Sequence, residues 1–309
     1  MKDISIIIPV YNESKNILVI YSRLKEILNK LELMWEIIFV NDGSNDDSVF
    51  IIRDLSKRDS NIKLISLTRN FGQQAALTAG MDFAEGNAVI TMDCDLQDPP
   101  EIIPEMIKNW KNGYHIVFAR RKIRSDKFMK KYTAILYYKL LYKFAEIKIP
   151  GNIGEFRLID RYVLDHLKNM REKSRYLRGM VAWLGFDYTI VDYVRPNRIY
   201  GETGFNFLKM VRLAMSGILS FSLLPLRLGF LIGILSIFLG TGFLFYIIFD
   251  ILINDQVYPL YKWLTIALFI FVGFLFILVW ILGEYVGRIY DESKGRPIYV
   301  IREKSNEAQ

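Results

Sequence analysis

Apolar positions in the first 120 residues fall into short β-rich runs at Ile4–Ile8, Glu36–Val40, Ile62–Leu67, Ala88–Met92 and His115–Ala119. Each run is bounded by turn-forming or helix-starting residues, as strands are. Between them, near 14–31, 45–58, 71–85 and 99–111, apolar residues recur at helical spacing. The third of these stretches has Gly72 early and Gly86 just past its end, where a helix stops. Strands alternating with helices predict an α/β domain on a Rossmann-like, mostly parallel sheet. Ligands of such sheets bind beyond the carboxyl ends of the strands, so chemistry is expected in the segments that follow each strand.

The pattern changes further along. Residues 120–148 carry ten Lys or Arg against Asp126 and Glu146, interleaved with Tyr132, Tyr137, Tyr138 and Tyr142. Such a stretch suits a membrane surface or a phosphate-rich site, or is simply a solvated basic helix. Residues 205–227 read as an amphipathic juxtamembrane helix broken by Pro225. Two apolar spans follow within 228–287, at about 228–253 and 263–284, each long enough for ~30 Å of hydrocarbon. Lys209, Arg212 and Arg227 flank the pair on one side; Arg288, Lys294, Arg296, Arg302 and Lys304 flank it on the other. The excess of positive charge at both ends predicts cytoplasmic termini and an external hairpin tip. The expected organisation is a cytoplasmic domain over 1–204, the juxtamembrane helix, the two-helix transmembrane hairpin and a basic tail over 288–309. Gly229 and Gly233 form a GxxxG, a face on which a homo-oligomer could pack.

Composition agrees with a split chain. The 309 residues are 52% hydrophobic and 24% charged, with the apolar surplus concentrated after Leu228. The net charge of +7 favours anionic partners, and the two spans argue against nucleic acid as the partner. The single cysteine, Cys94, excludes an intramolecular disulfide and any CxxC metal site, which fits a reducing cytoplasmic face. His115 and His166 are too isolated for a histidine metal cluster. The run before Pro9 is too short for a secretory core, so the N-terminal domain is expected to stay in the cytoplasm.

The most telling local pattern is Asp93-Cys94-Asp95-Leu96-Gln97-Asp98-Pro99-Pro100, directly after the run Ala88–Met92. If the chain there is extended, residues i and i+2 project to one side, so Asp93 and Asp95 converge on one cation. Hard oxygen ligands at an open site suit Mg2+ or Mn2+, completed by waters and substrate phosphates. The competing reading is an acidic helix N-cap, with Pro-Pro opening a helix that holds Glu101 and Glu105. Pro9-Val10-Tyr11-Asn12-Glu13 and Val40-Asn41-Asp42-Gly43-Ser44 follow the first and second strands. Tyr11 and Asp42 there suit a nucleoside, while ordinary turn chemistry accounts for either segment alone. No GxGxxG or GxxxxGK[ST] occurs, which argues against a dinucleotide enzyme or a P-loop NTPase.

IIIPVYNE, VNDGSND, TRNFGQQAALTAGMDFAEG, MDCDLQDPPE, GEFRLIDR, RYLRGMVAWLGF and SGILSFSLLPLR occur in an order that resembles the polyprenyl-phosphate glycosyltransferases. These are GT-A enzymes of glycosyltransferase family 2, a group that includes bactoprenol glucosyltransferases and dolichyl-phosphate mannose synthases, and the likeness runs from residue 3 to about 300. The resemblance implies that Pro9, Tyr11, Glu13, Val40 and Asp42 hold the nucleotide. It implies Asp93, Asp95 and Gln97 at the metal and diphosphate positions, and Arg121 and Arg198 on phosphates. Asp93 thereby serves both nucleotide and metal, and Asp95, Glu155 and Arg157 are the expected catalytic residues. Two departures stand out: Glu155 lies where the family carries an aspartate, and Gly204 where it often carries a lysine.

The implied reaction is inverting transfer of a sugar, glucose from UDP-glucose foremost, to undecaprenyl or another polyprenyl phosphate at the cell membrane. A flippase and a downstream transferase would use the product. A lipid monophosphate, with a second pKa near ~6, is largely dianionic at pH 7 and needs no general base. Glu155 is therefore expected to orient the sugar or Arg157, or to form an ion pair with Arg157 or Arg161. A processive polysaccharide synthase is disfavoured by the absence of a QxxRW motif. A non-catalytic nucleotide-sugar sensor is disfavoured by the intact Asp93, Asp95, Gln97 and Arg121.

Overall fold

A computed structural model describes residues 2–122, 150–194 and 259–305, with isolated positions between 242 and 253. The chain forms two compact units, Met1–Gly217 together with Arg296–Gln309, and Ile218–Gly295.

The first unit is built on strands β1 (Ile4–Val10), β2 (Trp35–Asn41), β3 (Ile62–Leu67), β4 (Ala88–Thr91), β5 (Ile116–Arg121), β6 (Ile153–Asp160), β7 (Tyr188–Tyr193) and β8 (Ile301–Lys304). They make one sheet in the order β7-β5-β6-β4-β1-β2-β3-β8. β1 is parallel to β2 and β4, β2 to β3, and β5 to β7. β6 runs antiparallel between β4 and β5, and β8 antiparallel along the edge of β3. The mostly parallel α/β expectation holds.

Helices α1 (Ser14–Asn29), α2 (Ser48–Arg58), α3 (Gln73–Phe83), α4 (Ile103–Lys111), α5 (Arg161–Asn169) and α6 (Leu177–Trp183) accompany the strands. On one face, Ile4, Ile6, Ile8 and Val10 of β1 pack with Ile17, Ile20 and Leu24 of α1, Ile52 of α2 and Ile103 of α4. On the other, α3 lies so close that a Cβ on Gly80 would stand 2.3 Å from Ile7 Cγ2. Gly80→Val should therefore overpack the core and cost about 1–3 kcal/mol, read as a lower Tm of the purified protein.

Several boundaries differ from the sequence reading. β1 runs through Pro9 to Val10. Met92 N–H donates to the Ile7 carbonyl at 3.1 Å, so odd residues of β1 face β4. The β1–β4 register ends at Ile7 and Thr91, so the N–H that Pro9 lacks falls where that ladder has stopped. Pro100 opens a 3-10 turn holding Glu101, and the α-helix with Glu105 starts only at Ile103. Residues 301–304, read as part of a basic tail, are a strand of the sheet.

In the second unit the backbone forms one 34-residue helix, α7 (Leu260–Ser293), about 51 Å long at ~1.5 Å per residue. Among the described residues no helix is long and apolar enough to cross a membrane. The two-helix hairpin expected from hydropathy is thus not supported at this level. The basic stretch after Lys122, Arg198, Gly204, the 205–227 helix and the Gly229–Gly233 pair lie outside the described residues.

Candidate active site

The loops after β1, β2 and β3 are bound to one another by the polar residues that read as turn formers. Asn12, at φ 56°, donates its N–H to Ser44 Oγ at 3.0 Å and accepts from the Asn45 N–H at 2.8 Å. Asn41 accepts from the Ser44 N–H at 3.0 Å and donates to Ser66 Oγ at 2.9 Å. Gly43 has φ 70°, and a Cβ there would stand 2.5 Å from the Arg69 carbonyl carbon, so only glycine lets these loops close.

Together they line a cleft of about 530 Å³ with Tyr11, Asn41, Ser44, Asp46, Ser66, Thr68 and Asn70 on its walls, a volume suited to a small-molecule ligand. Of the residues expected to hold a nucleotide, Tyr11 lines this cleft and is 46% exposed. Pro9 and Val40 are register partners at the ends of β1 and β2. Glu13 accepts from Asn16 Nδ2 at 2.5 Å ahead of α1. Asp42 is buried, accepting from the Phe71 N–H at 2.7 Å and the Gly72 N–H at 2.9 Å. Burial raises its carboxyl above the usual range against those bonds and Arg69. In this structure Asp42 positions the loop that starts α3.

The acidic segment is not extended. It turns at Leu96, φ 61°, and Asp95 Oδ1 accepts from the Gln97 N–H at 3.1 Å, the Asx-turn bond. Asp93 and Asp95 are near enough for the charge of one to act on the other, on a segment that turns rather than continuing the strand. Asp98, whose role the sequence did not disclose, closes the turn. Fully buried, it accepts from the Asp93 N–H at 3.2 Å and from the Tyr193 hydroxyl at 2.8 Å, with Arg121 at 3.9 Å. Arg121 Nε donates to the Tyr193 oxygen at 3.0 Å. A Cβ on Gly154 would stand 2.8 Å from the Arg121 guanidinium, so this glycine leaves the arginine its place.

Burial and the carboxylates of Asp98, Asp95 and Glu155 push the Asp93 carboxyl well above its ordinary range, against Arg121. Such a surplus of negative charge fits a divalent cation on Asp93 and Asp95. Among the described residues no three His, Cys, Asp or Glu side chains converge to hold a metal by themselves, so the remaining ligands would be waters and donor phosphates.

β6 supplies the third element. Glu155, 4% exposed, pairs through Oε2 with the fully buried Arg157 and accepts from Arg178 Nε at 2.9 Å on Oε1. Its expected alternative partner, Arg161, instead donates to the Ala84 carbonyl at 2.9 Å. Burial alone would raise the Glu155 carboxyl; Arg157 and Arg178 outweigh it and hold it below the usual range. The Nε and Nη1 of Arg157 are buried with no partner among the described residues.

Two glutamines at the start of α3 tie the pieces together. Gln73 donates to Asp93 Oδ1 at 2.6 Å, and Gln74 hydrogen-bonds Glu155 while accepting from the Leu177 N–H at 3.0 Å. Arg178, Gln73 and Gln74 were missed by sequence reasoning, although all three sit in the motifs FGQQ and RYLRG. Their polarity on helices otherwise facing the core was the available signal.

Residues 5–168 match the model of the family described as Glycosyl transferase family 2. The chain is 46% identical over 301 residues to an uncharacterised glycosyltransferase of Bacillus subtilis, covering 96% of this chain and 93% of that protein. It is 40% identical over 300 residues to a bactoprenol glucosyl transferase of Shigella phage SfV, covering 97% of this chain and 98% of the other. Among solved structures it is similar, at TM-score 0.46 and 16% identity, to glucosyl-3-phosphoglycerate synthase from Mycobacterium tuberculosis in complex with Mn2+, UDP-glucose and phosphoglyceric acid. That match covers 71% of this chain and 78% of the other.

Proposed function

The chain belongs to glycosyl transferase family 2 and is a glycosyltransferase, and on that premise we propose that it transfers a sugar, glucose from UDP-glucose foremost, to a polyprenyl phosphate. The name of the phage relative, 40% identical over nearly its whole length, supports the acceptor and the sugar. The observation that carries the reading is the state of Glu155. Its two carboxylate oxygens are engaged by Arg157 and Arg178, so it is poorly placed to take a proton from a sugar hydroxyl. A phosphate monoester acceptor, already dianionic with a second pKa near ~6, asks for no such base.

The reaction in this reading is a single displacement. An acceptor phosphate oxygen forms the new bond to the anomeric carbon, the bond from that carbon to the donor diphosphate breaks, and the nucleoside diphosphate leaves with the electron pair. The anomeric configuration inverts. Two phosphate groups must approach each other, so the site needs positive charge. Arg121 stands beside the acidic turn, and Arg157 in the same cluster has two donor nitrogens with no partner among the described residues. A Mg2+ or Mn2+ held by Asp93 and Asp95 would offset charge on the leaving diphosphate.

The same reading places the enzyme at the cell membrane, with the spans near 228–253 and 263–284 as anchor and the catalytic domain cytoplasmic. Sequence hydropathy and the flanking Lys and Arg residues support this. A flippase and a second transferase are the partners such a product would meet. The test is membranes containing the full-length protein, given a panel of nucleotide-sugars with undecaprenyl phosphate and read by mass spectrometry of the lipid. Lipid-phosphate hexose formed from UDP-glucose is the expected product. Transfer to free sugars but never to the lipid phosphate would overturn the acceptor assignment.

A further inference from the structure

The chain leaves the first unit after Gly217 and returns to it at Arg296. The returning segment is held firmly. β8 pairs with β3, with Ile301 opposite Leu67 and a register shift between Ser66 and Leu67. The Thr68 N–H donates to the Val300 carbonyl at 3.0 Å, and the Ser305 N–H to the Leu64 carbonyl at 2.9 Å. Arg53 grips Glu303 with two donors from one nitrogen, at 2.8 and 2.9 Å. Tyr299 donates its hydroxyl to Asp82 Oδ2 at 2.7 Å, and Lys304 lies over the Phe83 ring at 4.2 Å. The irregularity beside Leu67 lies at the mouth of the cleft, where such a kink re-aims a side chain.

The residue so aimed is Arg302, which lines the cleft. The other guanidinium groups there are engaged: Arg53 with Glu303, and Arg69 over the Phe71 ring at 4.0 Å while donating to the Asn70 carbonyl. Among the described residues Arg302 makes one hydrogen bond, long at 3.3 Å, from Nη2 to the Thr68 carbonyl. A guanidinium has five donors, and Arg302 stands on a cleft whose other walls carry the Tyr11 ring, the neutral groups of Asn41, Ser44, Thr68 and Asn70, and the carboxylate of Asp46.

Strand order says which part of a ligand this is. The acidic turn follows β4, and β8 lies four strands away across β1, β2 and β3, roughly 19 Å at ~4.8 Å per strand. The cleft lies on that side of the acidic turn, lined by residues at and after the ends of β1, β2 and β3 and by β8, so a nucleotide with its diphosphate at Asp93 and Asp95 and its base in the cleft points the base toward β3 and β8. We propose that Arg302, on the C-terminal strand, is a donor-recognition residue that hydrogen-bonds the carbonyl edge of the nucleobase, so that the last strand of the chain completes a site begun by the first three. This rests on the nucleotide-sugar reading above.

The test uses the full-length protein in detergent with Mg2+, titrated calorimetrically with UDP and with CDP, which replaces the uracil O4 carbonyl by an amine. Wild type should bind UDP more tightly than CDP. Arg302→Ala should weaken UDP about tenfold or more, the scale of a charge-assisted hydrogen bond, and narrow the UDP-over-CDP preference. Its effect on transfer should fall on KM for the donor, with kcat nearly unchanged. Arg302→Lys, which keeps one cationic donor, should lie between the two. Unchanged UDP affinity in Arg302→Ala, or equal losses for UDP and CDP, would overturn the inference while leaving the donor reading intact. A wild-type protein that binds neither nucleotide would overturn both.

Discussion

Asp95→Asn should cut transfer by about 10²–10³ while leaving the protein folded, the scale for loss of one key electrostatic group at a site of developing charge. Geometry explains why folding should survive. Asp95 is 5% exposed and its Oδ1 takes the Gln97 N–H at 3.1 Å, a bond that an asparagine oxygen makes equally well. The turn that presents Asp93 therefore persists while the charge is lost. Substituting Asp98 should behave differently, because that carboxylate closes the turn through the Asp93 N–H and Tyr193. Stripping divalent cations with EDTA should silence the wild type, and Mg2+ or Mn2+ should restore it. Wild-type rates in the presence of EDTA would remove Asp93 and Asp95 from the metal assignment.

Glu155→Gln is expected to damage stability more than chemistry. The wild-type carboxylate neutralises Arg157, which is fully buried, and Arg178. Removing one partner of a buried pair leaves an uncompensated charge and typically costs about 3–5 kcal/mol, which should appear as a clear fall in Tm. Per folded molecule the rate should drop by less than the roughly 10²–10⁴ that a general base supplies. The rate should still rise as the acceptor phosphate ionises near pH ~6.

The pH dependence of stability has a definite sign. The Glu155 carboxyl lies below its ordinary value when folded, so its contribution is complete above the unfolded pKa of ~4.3 and is lost as pH falls through the folded value. The glutamine variant should lack that acid-side loss, which thermal unfolding from pH 7 downward would show. Glu155→Asp should keep substantial activity, since the relatives' motif carries the shorter carboxylate. A glutamine variant slowed 10³-fold or more, with fold and donor affinity intact, would make Glu155 the base and exclude the phosphate mechanism drawn above.

Much of this protein could be read without coordinates. Five strands and four helices of the first 111 to 121 residues announce themselves because the apolar pattern of each lies within its own segment, even where its partner is distant, as β1 pairs with β4. An apolar run followed by a turn former needs no distant partner to be recognised. The segment after β4 was identifiable as the chemical centre for the same reason: its residues are consecutive, and its place after a strand follows from topology.

What the tertiary structure alone decided depends on partners far apart in the chain. β6 escaped the hydropathy pattern because Glu155 and Arg157 occupy buried positions in it, tolerable only where Arg178, 23 residues on, and Gln74 supply the missing partners. The acidic segment is folded into a turn, with a left-handed Leu96 and the bond from the Asp93 N–H to Asp98, rather than laid out as a continuation of the strand. β8 is four charged and apolar residues with no periodicity of their own. It becomes a strand because the edge of β3 offers unpaired backbone groups and Arg53 offers a counter-charge to Glu303, 250 residues away. Local spacing carries information about local hydrogen bonds and burial. Charge neutralised across the fold, and an edge completed by the other end of the chain, leave no periodic trace in the sequence.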